Sequence, residues 1–180
     1  MSRIAIPAAD ATPSASRPLL EAVHQQLGVV PNLMKMVGNS PAALEGYLSF
    51  NGAVAKGVLD LQTRERIALA TAEFNRCDYC LAAHTYLGKN LAKLSEDEMA
   101  AARDYRAADA KSQAALHFAQ RVALQRGLVQ DADLAAVRAA GFDDAGIVEI
   151  VANVALNVLT NYLNNVAATD IDFPAAPKRA

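Results

Sequence analysis

The chain has 180 residues, 53% of them hydrophobic, with 17 basic and 19 acidic side chains and a formal net charge of −2. That length suits a single domain with a substantial core, and the charge balance, without a basic cluster, leaves no footprint for a nucleic-acid partner. Two cysteines are too few for the disulfide framework of a secreted domain, and paired thiols in a cytoplasmic setting are more often catalytic or metal-binding.

Residues 1–17 are rich in Ala, Pro and Ser and lack the apolar run of a signal peptide. They read as an N-terminal arm, mobile or strapped over a neighbouring subunit, ahead of a domain spanning 18–180. From there helical periodicity recurs while alternating β-branched runs are almost absent, so the expected class is all-α. Pro18 to Leu27 predicts a short helix ended by Gly28, and Pro31 to Val37 another stopped at Gly38-Asn39. Pro41 to Lys56 follows with Ser40 as cap and Gly57 as stop. Thr63, as cap, opens a helix to Asn75, and the cysteine segment runs to Leu87 before Gly88. Ser95-Glu96-Asp97-Glu98 has the pattern of a capping box opening a helix to Tyr105. Asp109 to Arg126, Asp131 to Ala140 and Asp143 to Ala168 complete the set.

The last helix carries no charge from Ile150 to Thr169, twenty residues, long enough to cross a bilayer. Asn153, Asn157, Asn161, Asn164 and Asn165 fall within it, and amides are costly in hydrocarbon. A buried central helix, with no membrane, is therefore the expectation. Asn153, Asn157 and Asn161 form a stripe suited to hydrogen bonding across a helix contact or to ordered water. There is also a faint internal echo. Gly57 to His84 and Gly141 to Ala167 both run glycine, acidic loop, then a long apolar helix, but only the first carries cysteines.

Cys77-Asp78-Tyr79-Cys80-Leu81-Ala82-Ala83-His84 is the most informative segment. In a helix, Cys77, Cys80 and His84 share one face. Two neighbouring thiols exchange two electrons through a disulfide, and an imidazole one turn beyond Cys80 is placed to take its proton. Asn75-Arg76 is a natural break. If the helices fold back there, Glu65 comes opposite His84 and serves to orient the imidazole. Glu73, four residues before Cys77, is the rival carboxylate, useful only if the helix runs on unbroken; otherwise it is a solvated residue paired with an arginine. Zinc on Cys77, Cys80 and His84 lacks a second ligand pair. His24 and His117 are isolated. No metal or cofactor is expected.

Glu65, eleven intervening residues, then Cys77-x-x-Cys80-x-x-x-His84 is similar to the signature of the alkylhydroperoxidase D and carboxymuconolactone decarboxylase superfamily. The flanking Thr63-Arg64-Glu65-Arg66, Leu27-Gly28-Val29-Val30-Pro31-Asn32 and the segment to Tyr47 resemble its peroxidase-related branch. The resemblance implies an all-helical fold, homo-oligomers (trimers or hexamers), and Glu65, Cys77, Cys80 and His84 as proton relay and redox pair. It differs at Tyr79, where the best-known peroxidase members have histidine. The expected activity is a thiol peroxidase or disulfide oxidoreductase acting on hydroperoxides. In the expected cycle Cys80 attacks, Cys77 resolves and an external dithiol or redox protein restores the pair. Cys77, at the helix start, should be the sulfur more open to that reductant, with its thiolate favoured by the helix N-terminus. An oligomeric binding protein with a vestigial site, or a decarboxylase-like enzyme, stays open as an alternative. The expected location is cytoplasmic.

Overall fold

The computed structural model describes residues 2–177, which form helices and connecting turns with no strand among them. α1 is Arg17–Leu27, α2 Asn32–Val37 and α3 Pro41–Val54. α4 is Leu61–Phe74, α5 Asp78–Asn90 and α6 Glu96–Arg103. α7 is Ala110–Gln125, α8 Asp131–Ala139 and α9 Asp144–Ala167. The chain is all-α, and each predicted helix exists.

Local chemistry sets most of the ends. Ser40 Oγ accepts from Ala43 N, and the Ser95–Glu98 capping box closes in both directions. Two ends differ from the sequence reading. Asp60, not Thr63, caps α4: its carboxylate accepts from Thr63 N at 2.7 Å, so Thr63 lies inside the first turn. The preceding loop is pinned by Glu149 of α9, whose carboxylate accepts from Val58 N and Leu59 N, each at 2.9 Å. Gly88 does not stop α5. It lies inside the helix and is buried, and a Cβ there would come within 3.0 Å of the Met99 sulfur. A small residue lets α6 pack close, and α5 runs on to Asn90.

α4 is the central element, packed against α5, α6, α7 and α9. Residues 65–72 are buried without a break, many of them alanine, so the helix is covered on every side. α9 lies against α2, α3, α4, α5 and α7. Its buried positions include Ile147, Ile150, Val154 and Leu156 together with Asn153, Asn157, Asn161 and Asn164. This long apolar element is therefore a core helix of the fold. Among the asparagines, Asn153 and Asn157 donate to carbonyls one turn back in α9 itself. Asn161 bonds across to another element, accepting from Asn75 Nδ2 at 2.9 Å.

The arm does not stand away from the chain. Ser16 Oγ donates to Gly38 O at 2.7 Å, Asn39 Nδ2 to Ala5 O at 3.0 Å, and Ser2 bonds the Asp170 carboxylate. Residues 2–16 thus lie along α2 and the C-terminal segment of their own chain.

Candidate active site

α4 and α5 fold back on each other through a two-residue turn. Arg76 adopts a left-handed conformation (φ 53°), which ends α4 and reverses the chain. Cys77 follows in an extended conformation as the N-cap of α5, and its sulfur accepts from Cys80 N at 3.3 Å. Cys77 is thus a capping group rather than a member of the helix. Its side chain still turns toward Cys80, as a cap must.

The reversal brings Glu65 against His84. His84 Nδ1 and Glu65 Oε2 are 2.9 Å apart, with the imidazole and the carboxylate only 21% and 11% exposed. Burial works against a charged imidazole. The Glu65 carboxylate, its hydrogen bond and the nearby Cys80 outweigh it and hold His84 above its ordinary value. Pairing through Nδ1 leaves Nε2 as the ring nitrogen for proton exchange.

The two thiols respond in opposite directions. Cys80 is lowered from 9.0 to about 6: the Cys77 thiol donates a hydrogen bond to it, and although burial opposes the charge, His84 and the amides of Asn161 and Asn164 support it. Cys77 is pushed far up by that same hydrogen bond to Cys80, by burial and by the neighbouring negative charge. Both are free thiols, 1% and 3% exposed respectively. Two expectations fail here. Cys77 is not the more open sulfur, because both thiols are part of the apolar core, and the helix N-terminus does not make it the thiolate. Its sulfur already serves Cys80 N and shares its proton with Cys80, so the charge collects one turn further in.

The sequence pattern of residues 41–125 matches the carboxymuconolactone decarboxylase family. An uncharacterized peroxidase-related protein from Ralstonia eutropha JMP134 with an alkylhydroperoxidase AhpD core superposes with a TM-score of 0.85 at 27% identity, covering 95% of this chain and 92% of that one. Residues 41–125 thus carry the pattern of the carboxymuconolactone decarboxylase family, and the chain has the fold of an alkylhydroperoxidase AhpD core.

Two further solved structures share the fold. An uncharacterized peroxidase-related protein from Silicibacter sp. TM1040 gives a TM-score of 0.82 at 24% identity, over 94% and 91% of the two chains. The debrominase Bmp8 bound to 2,3,4-tribromopyrrole gives 0.77 at 16% identity, over the same shares. Among curated proteins, an uncharacterized protein of Haemophilus influenzae is 49% identical over 45 residues, 24% of this chain, and the match spans 40% of that relative's length.

The structure brings Glu65, Cys77, Cys80 and His84 together. Glu73 lies elsewhere in function: it pairs with Arg103 of α6 at 2.7 Å, and Arg103 also donates to Pro177 O. Tyr79, in the place of the family histidine, is buried in a structural network. Its hydroxyl accepts from Leu33 N at 3.1 Å and donates to Asp172 Oδ1 at 2.8 Å, and its ring meets Phe173 edge-on. Two groups at the site went unread in the sequence. Asn164 Nδ2 donates to Cys80 Sγ at 3.2 Å, and the only hint was that Asn164 extends the 153–157–161 stripe by one more turn. Tyr47 of α3 is near enough to Cys80 and Glu65 to feel their charges. Burial first, and then those charges, push its phenol up to about 12.

Two cavities are formed away from these groups. One of about 430 Å³ lies between α7 and α8 and is lined by His117, Phe118, Asp133 and Val137. The other, of about 290 Å³, lies at the N-termini of α4 and α7 beside Arg66. Neither includes a residue of the thiol site.

Proposed function

We propose that the protein is a thiol-dependent peroxidase that reduces hydroperoxides through Cys77 and Cys80. The observation that carries this reading is the line Glu65–His84–Cys80–Cys77. It places the stabilised thiolate on one cysteine, a protonated thiol on the other, and a carboxylate-held imidazolium beside them. In the resting state His84 holds the proton that Cys80 gave up. The Cys80 thiolate attacks the terminal oxygen of the hydroperoxide, the S–O bond forms as the O–O bond breaks, and the alkoxide or hydroxide released takes its proton from His84. Cys80 is then a sulfenic acid. The Cys77 thiol condenses with it, giving the disulfide and one water.

Reduction by an external dithiol or redox protein completes the cycle by exchange at the disulfide. With both sulfurs buried, that step requires the first turn of α5 to open. A dithiol that must be reduced between turnovers suits a reducing compartment, and we place the protein in the cytoplasm on that ground. Nothing in this cycle calls for a metal, a membrane or nucleic acid.

The chain is further proposed to self-associate, as a trimer or hexamer. Val148, Val151, Ala155, Leu159, Tyr162 and Val166 are all exposed and recur at intervals of three and four residues along α9, the spacing of a helix-packing seam.

Stopped-flow oxidation of the reduced protein by hydrogen peroxide and alkyl hydroperoxides, with thiols counted before and after, tests the activity. Loss of both thiols into an intrachain Cys77–Cys80 bond, mapped by non-reducing digestion and mass spectrometry, is expected. Intermolecular bridges alone, or unchanged thiols, would remove the dithiol mechanism.

A further inference from the structure

Asn161 and Asn164 are deeply buried side-chain amides, at 0% and 3% exposure, and both are incompletely used. Among the described residues, Asn164 Nδ2 donates to Cys80 Sγ and to Thr160 O, but its Oδ1 accepts nothing. Asn161 Oδ1 accepts from Asn75, but its Nδ2 completes no hydrogen bond, although it lies close enough to Cys80 to favour the thiolate. A buried donor or acceptor without a partner is costly, roughly 1–3 kcal/mol each, and native folds keep such atoms where something needs them. Here an acceptor without a partner and a donor that leans toward the sulfur without completing a hydrogen bond sit three residues apart on α9, beside Cys80.

We infer that this amide pair is the hydroperoxide-binding element. A hydroperoxide carries one O–H to give and oxygen lone pairs to receive. The O–H donates to Asn164 Oδ1, a peroxide oxygen accepts from Asn161 Nδ2, and the terminal oxygen is left facing the Cys80 sulfur. As the O–O bond breaks, the negative charge moving onto the departing oxygen strengthens the Asn161 bond until His84 delivers the proton. The inference rests on the peroxidase reading and narrows it. An organic disulfide has no hydrogen to donate and leaves Asn164 Oδ1 unsatisfied, so the pair selects hydroperoxides over disulfides as oxidants of the reduced enzyme.

The test compares two reactions at the same sulfur. Rates of oxidation by hydrogen peroxide and tert-butyl hydroperoxide, and of alkylation by iodoacetamide, are measured at pH 8.5 for the wild type and for Asn161→Ala and Asn164→Ala. The folding of each variant is checked by circular dichroism. The ratio of peroxide rate to alkylation rate should fall roughly ten- to hundredfold in either variant, the size of one hydrogen bond to a developing charge. A parallel fall in both rates, leaving the ratio unchanged, would mean that the amides serve only the thiolate and would overturn the inference, as would no change in either rate.

Should a variant fail to fold, the wild type still decides. It should be oxidised by hydrogen peroxide at least tenfold faster than by dimethyl disulfide, which has no O–H or N–H to donate, and the reverse order sinks the proposal. A wild type inert to every hydroperoxide would instead defeat the peroxidase reading itself.

Discussion

His84 stands between two negative groups, Glu65 at 2.9 Å and the Cys80 sulfur, and its role depends on both. Removing the carboxylate charge with Glu65→Gln, or the imidazole with His84→Gln, should slow the peroxide step roughly 100- to 10,000-fold, the usual worth of general acid–base assistance. Because both act on one proton, the double variant should be little slower than the worse single one in stopped-flow traces. Glu73→Gln should leave that rate within a few-fold, since its partner is Arg103. A second expectation follows from the thiol. Only the thiolate reacts, and Cys80 is lowered from 9.0 to about 6. Its alkylation rate should therefore rise with pH through about 6 and level off well below the range of an ordinary thiol. In His84→Gln the supporting cation is gone, so the midpoint should move upward. A wild-type profile still climbing at pH 9 would contradict the assignment of the thiolate to Cys80.

At the scale of the helices, the exposed seam of α9 invites a direct experiment. A charge at its middle, Leu159→Glu, lies 43% exposed in the single chain and disturbs no core contact there. It should nonetheless reduce the proposed trimer or hexamer to smaller species, read as mass by light scattering after gel filtration. Unchanged mass would place the contact elsewhere. The elements themselves were largely legible in the sequence because their ends obey local rules: Ser40, Ser95 and Asp109 cap where their side chains predict. The errors arose where distant residues override those rules. Asp60 and Thr63 are both good caps by type, and it is the grip of Glu149 on Val58 and Leu59 that fixes the loop ahead of Asp60. Gly88 looked like a stop, yet Met99 needs the space its missing side chain provides. The fold-back of α4 on α5 was readable from the spacing of Glu65 and His84. The part played by Asn164 depends on how α9 crosses α5, which no local pattern encodes.

Across the whole molecule, Tyr79 joins parts that are far apart in sequence. Its hydroxyl links the first turn of α2 at Leu33 to Asp172 in the C-terminal segment, and Asp172 also accepts from Asn32 N at 2.8 Å. Phe173 packs against the rings of both Tyr79 and Tyr86. Tyr79→Phe keeps the ring and removes both hydroxyl bonds, leaving Leu33 N without its partner. Chemical denaturation should show a loss of roughly 1–3 kcal/mol, with peroxide reactivity near the wild-type value. A loss of reactivity with unchanged stability would mean that Tyr79 acts in the chemistry.

Cys77 Sγ is both the cap of α5 and half of the proposed redox pair. A cap works by offering electron density to a backbone N–H, and a sulfur bound to another sulfur offers less of it than a thiol. In the proposed cycle each turnover therefore loosens and retightens the start of α5, and the Cys80 amide hydrogen becomes a built-in gauge of oxidation state. Its exchange with deuterated solvent should be slow in the dithiol form and faster in the disulfide form, while amides in the middle of α4 stay unchanged. The frayed turn would also be the opening through which a reductant meets a sulfur otherwise sealed in the core.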